Sequence, residues 1–175
     1  MSKSFIRSIA IASGLVLGVI TGASAASAGT ATANLGTSAS VTANCTISTA
    51  PIAFGAYDPI VANATAPLDS TGTVTVTCTN GAPTTVTLGQ GANAAAGSSD
   101  AAPLRQMTNG TSQMAYSLYS DNGYSTVWGN TAGTGTSQNG TGSAQNLTVY
   151  GRVAAGQNLM TTGNYADTVV ATVSF

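Results

Sequence analysis

Residues 71–78 read T-G-T-V-T-V-T-C, which puts Val74, Val76 and Cys78 on one side of an extended chain and Thr73, Thr75 and Thr77 on the other. Side chains of a strand alternate between faces, so this period of two creates one apolar and one hydroxyl face, and β-branched residues favour the extended backbone. The stretch reads as a half-buried strand. Asn80-Gly81 follows, a dipeptide suited to tight turns, and residues 84–88 (T-T-V-T-L) are expected to return as the second arm of a hairpin-like unit.

The alternation spreads outward from there. Residues 114–119 (M-A-Y-S-L-Y) predict another strand, stopped by Asp121-Asn122-Gly123, with residues 124–128 returning; residues 147–153 and 165–175 complete the series. The Gly/Ser/Ala/Asn-rich stretches 89–102 and 129–144 are expected to be surface loops, because neither flank could build a core alone. Seven or so short strands and one disulfide predict an all-β, immunoglobulin-like sandwich. Trp128 follows both cysteines, so the Cys-Trp-Cys order of antibody-type domains is absent.

At the other end of the chain, Lys3 and Arg7 precede an uncharged apolar run at 9–20 and a small-residue tract at 21–28. This is the order of a secretory signal peptide, and a run of roughly a dozen residues falls short of the ~20 a membrane-spanning helix needs. Ala23-Ser24-Ala25 and Ala26-Ser27-Ala28 are both cleavage sites of the small-x-small kind, so the signal is expected to cover residues 1–25 with cleavage as late as 28.

Removing it leaves about 150 residues, the size of one domain, and takes Lys3 and Arg7 from the four basic residues. Two arginines then face five aspartates, a net charge of −3, which attracts neither nucleic acid nor an anionic membrane. Charged residues are 5% of the chain against roughly 25% in average domains. A hydroxyl-rich surface with so little self-repulsion suits packing against many copies. The two cysteines of an exported chain, Cys45 and Cys78, are expected to pair; the loop they close is worth roughly 3–4 kcal/mol. A metal site is disfavoured, since there is no histidine and two thiols do not complete a tetrahedron.

Without the signal the chain contains no His, Lys or Glu, so catalysis has few means. Asp58, Asp69, Asp100, Asp121 and Asp167 stand singly beside turn residues, where aspartate caps the backbone. A non-enzymatic protein is expected, with no cofactor and no small-molecule substrate. Tyr116, Tyr119, Tyr124 and Trp128 invite comparison with a sugar-stacking platform, but Tyr116 and Tyr119 would face opposite sides of a strand, which favours packing.

The segment 31–45 alternates again. Its odd positions are Ala31, Ala33, Leu35, Thr37, Ala39, Val41, Ala43 and Cys45, and its even positions are Thr, Asn, Gly or Ser. The pattern fits either the first strand of the domain's own sheet or an arm that adds a strand to a neighbouring copy.

From Asn44-Cys45-Thr46-Ile47 and Phe54-Gly55 onward, a set of motifs accumulates: V-T-V-T-C at 74–78, L-R-Q-M at 104–107, M-A-Y-S-L-Y-S-D at 114–121, V-W-G at 127–129, V-Y-G-R at 149–152, A-G-Q at 155–157 and G-N-Y-A-D-T-V at 163–169, closing on Phe175. This set resembles the spore coat protein U domain family, which includes subunits of archaic chaperone-usher pili.

The resemblance implies an immunoglobulin-like sandwich missing its last strand, completed by donor-strand exchange. A periplasmic chaperone would lend a strand until the N-terminal arm of another copy or a related subunit replaces it at the outer-membrane usher. It implies a donor arm at 26–43, with Ala31, Ala33, Leu35, Thr37, Ala39 and Val41 facing inward, and a pilin domain at 44–175. Val169, Ala171, Val173 and Phe175 would form the groove edge that pairs with the chaperone. Ser174 stands where the better-known pilins carry an aromatic, which points to the archaic branch. The implied function is a structural subunit of a surface pilus, exported through the periplasm and serving adhesion or biofilm formation. The competing expectations are a secreted carbohydrate-binding module or tip adhesin, and a structural protein of a spore or cell coat.

Overall fold

The alternating stretch 71–78 belongs to the longest strand among the described residues. In the computed structural model, which describes residues 27–175, it is β2 (Leu68–Cys78), with Val74, Val76 and Cys78 buried and the intervening threonines partly exposed. The expected signal peptide, residues 1–25, lies outside the described residues.

Residues 40–175 make one unit and residues 27–39 belong to another. The first contains β1 (Cys45–Ala50), β2, β3 (Pro83–Leu88), β4 (Arg105–Thr108), β5 (Gln113–Tyr119), β6 (Thr136–Asn139), β7 (Ala144–Val153) and β8 (Ala171–Ser174). They form two antiparallel sheets, in the orders β1-β2-β7-β5-β4 and β6-β3-β8. The inner faces meet around Val76, Val86, Leu118, Trp128, Val149 and Val153, the arrangement of an all-β, immunoglobulin-like sandwich. Each such side chain contributes roughly 1.5–3 kcal/mol through the water it sheds.

Several expectations need correction. Residues 84–88 form β3, but β2 and β3 are not a hairpin: β2 pairs with β1 on one edge and β7 on the other, leaving β3 no edge to join. The Asn80-Gly81 turn instead carries the chain from one sheet to the other, with Gly81 at a φ of 80° and its N–H donating to the Gly140 carbonyl at 2.9 Å. The loop expected at 129–144 contains β6, whose sequence T-S-Q-N has no apolar alternation and is held by the β3 ladder and a hydrogen bond from Thr84 Oγ1 to the Gln138 carbonyl.

Residues 124–128 return only as a single bridge, Val127 to Tyr119. The Asp121 carboxylate accepts from the Ser125 and Thr126 N–H groups and winds the chain into a turn, with Tyr124 in the left-handed region at a φ of 54°. The strand expected over 165–175 is regular only from Ala171, although the alternation of half-buried odd and exposed even residues runs through all of 165–173. Residues 27–44 carry no strand, so the alternating arm is not the first strand of the domain's own sheet. That strand is β1.

Two devices tie these elements together. Cys45 and Cys78 stand opposite each other on β1 and β2 and are joined by a disulfide, their Cα atoms 4.1 Å apart. Arg105, 1% exposed, reaches from β4 across to the other sheet, where Nε donates to the Gly89 carbonyl and Nη2 to those of Leu88 and Trp128, each at 2.8 Å. Burial lowers its pKa from 12.5 to about 10, so it remains a cation at neutral pH. Trp128 adds a bond from Nε1 to the Val86 carbonyl at 2.9 Å.

Two stability measurements follow. Arg105→Met leaves the buried Leu88 and Trp128 carbonyls and the half-buried Gly89 carbonyl without this donor and should cost on the order of 3 kcal/mol in urea unfolding at pH 7; a loss under about 0.5 kcal/mol, typical of an uninvolved surface site, would contradict the staple. Replacing Cys45 and Cys78 together with alanine should lower stability by roughly 3–4 kcal/mol, and a thiol titration of the unfolded wild-type chain that finds two free cysteines would refute the pairing.

Candidate functional site

Every sandwich has two open sides, and here they are treated differently. On one side Arg105 and Trp128 bridge the sheets. On the other stand β1, the edge of the five-stranded sheet, and β8, the edge of the three-stranded sheet, with no ladder between them. After β1 the chain leaves the strand at Pro51, and ahead of β8 residues 160–170 run with only one bridge, Ala166 to Thr108.

The gap between these edges is a groove that opens on the core. A cavity of about 390 Å³ lies between Thr49 and Ala50 on one wall and Val169 and Ala171 on the other, floored by Val74, Leu88, Leu118 and Val149. It continues into a larger cavity of about 700 Å³ between residues 52–57 and 160–165, floored by Leu68, Met107, Met114 and Val153. Ile52, Phe54, Met107 and Tyr165 line both. The walls run in opposite directions, 49 to 57 against 171 to 160. The floor residues are those that a closed sandwich would cover with another strand.

Tyr116 and Asp167 brace the β8 wall. The Tyr116 hydroxyl donates to Asp167 Oδ2 at 2.7 Å, while Asp167 Oδ1 accepts from the Ala92 and Asn93 N–H groups at 2.9 and 3.1 Å. Burial, then the hydrogen bond to Asp167, drives the Tyr116 pKa far above its usual value, so its hydroxyl remains a donor. Phe54 meets the Tyr116 ring edge-on, with centroids 6.1 Å apart. The floor is therefore apolar, the walls add threonines and Asn164, and the Asp167 bracket is satisfied by its hydrogen bonds.

Of the residues singled out in the sequence, Cys45 and Cys78 are joined, Val169 and Ala171 line the smaller cavity, and Val173 shares their half-buried face. Phe175 departs from that face: it follows the end of β8, is 56% exposed, and lies in a shallow depression with Pro83, Thr85, Ser137 and Asn139. Ala31, Ala33, Leu35, Thr37, Ala39 and Val41 are all exposed, Leu35 at 91% and Val41 at 85%. Ile52, Phe54, Leu68 and Met160 went unnoticed as groove residues. The available signal was Gly72 and Gly151, isolated glycines inside strand patterns, which mark the close approach of something else. A Cβ on Gly72 would meet Ile52 at 2.5 Å, and one on Gly151 would meet Phe54 at 2.8 Å.

The aspartates hold structure. Asp58 accepts from the Ile60 and Val61 N–H groups, Asp100 from the Gln90 and Asn130 amides, and Asp69 forms a two-pronged pair with Arg152 at 2.7 Å. These donors favour the carboxylate form and hold all three pKa values below the ordinary range; at Asp121 the Thr126 N–H brings it to about 2. A general acid needs the opposite shift. The four aromatics of the sugar-platform expectation separate, Tyr116 and Trp128 into the core and Tyr119 and Tyr124 to the outer sheet face. There Tyr124 meets Tyr119 and Tyr150 edge-on, and the Arg152 guanidinium lies over its ring at 3.6 Å.

The chain is 44% identical over 160 residues to Protein U of Myxococcus xanthus, a match covering 87% of this chain and 89% of that protein. Its fold is similar to that of a chain in the crystal structure of the CsuC-CsuE chaperone-tip adhesion subunit pre-assembly complex from archaic chaperone-usher Csu pili of Acinetobacter baumannii, with a TM-score of 0.54 and 20% identity over 77% of this chain. The match spans 40% of that solved chain's length. Residues 31–172 match the family model described as the Spore Coat Protein U domain. The chain belongs to the Spore Coat Protein U domain family.

Proposed function

We propose that this protein is a structural subunit of a surface pilus that polymerises by donor-strand complementation. The observation that carries the reading is the groove: two strand edges without a shared ladder, standing over a floor of core side chains. Such an opening takes an extended segment, whose main chain would complete the ladder along β8 and whose inward side chains would replace water on the floor. The chain itself supplies a segment of that kind. Residues 31–41 alternate apolar and polar, carry no strand and are exposed. Burying Leu35 and Val41 in another copy would contribute roughly 1.5–3 kcal/mol each, before the main-chain bonds.

On this reading residues 26–43 are the donor arm and residues 44–175 the acceptor domain. Ala31, Ala33, Leu35, Thr37, Ala39 and Val41 point into the groove of the next copy, and Val169, Ala171 and Val173 form its edge. A free edge over an open core invites aggregation until something covers it, so a periplasmic chaperone occupies the groove first and an outer-membrane usher exchanges it for the arm. The partners are copies of this chain or related subunits, and the product is a fibre on the cell surface that serves adhesion or biofilm formation. The family description favours a second setting, a spore or cell coat, in which the same groove and arm would assemble the subunits without an usher.

Full-length exported protein should form multimers that survive SDS and collapse on boiling. Leu35→Asp, which would place a charge over the apolar floor, should abolish the ladder while leaving the monomer's β-sheet circular dichroism unchanged. A wild-type protein that stays monomeric at high concentration would refute polymerisation. Ladders of equal strength from Leu35→Asp would show that the arm is not what joins the copies.

A further inference from the structure

The groove floor has a periodic relief, and so does the arm. Because β2 and β7 pair antiparallel, their inward residues form four successive rows: Leu68 with Val153, Ser70 with Gly151, Gly72 with Val149, and Val74 with Leu147. The first row floors the larger cavity, and the smaller one is floored by Val74 of the fourth row beside Val149 of the third. In each middle row the glycine is covered. Ile52 lies against Gly72, where a Cβ would approach its Cγ1 to 2.5 Å, and Phe54 lies against Gly151, where a Cβ would approach its Cζ to 2.8 Å. Glycine at these two positions lets the side chains descend onto the sheet, and both remain half-buried in the lining shared by the two cavities. They form a ridge with a hollow on either side. From the first row to the fourth is six residues of strand, about 20 Å.

The arm repeats this spacing. Its four central inward positions are Leu35, Thr37, Ala39 and Val41, large, small, small and large, and the two large ones are also six residues apart. We infer that the arm of one copy seats in the groove of the next in a single register: Leu35 in the hollow over Val74, Thr37 over Ile52, Ala39 over Phe54, and Val41 in the hollow over Leu68. This inference rests on the donor-strand reading and adds the register to it.

The direction follows from pairing. An arm antiparallel to β8, the commoner pairing, runs along the opposite wall in the order 49 to 57, so Thr37 meets Ile52 before Ala39 meets Phe54. The small residues are then the specificity-determining ones. A slip of two residues in either direction would bring Leu35 or Val41 down on the ridge and leave a hollow empty. A slip of one would turn the polar face inward.

Leucine substitutions in the full chain test this, because the arm is exposed and the monomer's fold does not depend on it. Thr37→Leu and Ala39→Leu should each reduce SDS-resistant multimer about tenfold or more at equal protein concentration through overpacking on the ridge. Ser38→Leu, on the opposite face, should leave it within about twofold. Lowering the ridge should rescue by position: Ile52→Ala should restore multimers to Thr37→Leu, and Phe54→Ala to Ala39→Leu. Equal tolerance of leucine at positions 37, 38 and 39, or rescue in the crossed pairing, would overturn the register. Should either alanine variant fail to fold, the three arm variants alone still decide the ridge. Absence of multimers from the wild type would instead defeat the donor-strand reading itself, so the two failures are distinguishable.

Discussion

Two sheets can bury their inner faces only where both are covered, and at the β1 and β8 edges of this sandwich the cover is missing. The consequence reaches most of the molecule. Val74, Leu88, Leu118 and Val149 belong to the buried core and at the same time floor the smaller cavity. The domain's stability and the floor of its open groove therefore draw on the same side chains. A sandwich that closed this gap with its own chain would gain apolar burial and lose the opening.

The closed side carries what the open side lacks. Arg105 sends three hydrogen bonds from one sheet to carbonyls at the end of β3 and at Trp128, and Trp128 returns one to Val86. A buried cation is expensive unless its donors are used, and the carbonyls it meets would themselves be unsatisfied without it. The open side is braced from behind in the same manner. Asp167 collects the Tyr116 hydroxyl and the Ala92 and Asn93 amides, and Gly91 at a φ of 90° passes so close to the carboxylate that a Cβ there would collide with it. A groove with a fixed wall loses less freedom when it is filled, which favours tight insertion of an extended segment.

Local alternation was legible because a half-buried strand writes its environment directly into period two. That is why residues 71–78, 114–119 and 147–153 declared themselves. β6 did not, since T-S-Q-N is a strand only by virtue of its ladder with β3. The hairpin expected around Asn80-Gly81 failed for a related reason: a turn signal says that the chain reverses, and the partner of the next strand depends on which edges are already taken. For the groove, the sequence displayed Val169 and Ala171 through their alternation but hid Ile52 and Phe54, whose role comes from lying on Gly72 and Gly151 in other strands. The glycines were the one trace of that contact in the linear text.

That the chain is all-β, that two cysteines are available to staple it, and that a stretch with small and large apolar residues in strand spacing lies ahead of the first cysteine can all be read along the chain. These are properties of neighbouring residues, and short-range sterics and the alternation of side chains settle them. The gap between β1 and β8, the open core beneath it, the turn of Phe175 away from the groove, and the ridge of Ile52 and Phe54 between two hollows arise in the folded domain alone. Each of these depends on which distant strands share a sheet, and that choice is made by packing and edge pairing over the whole domain.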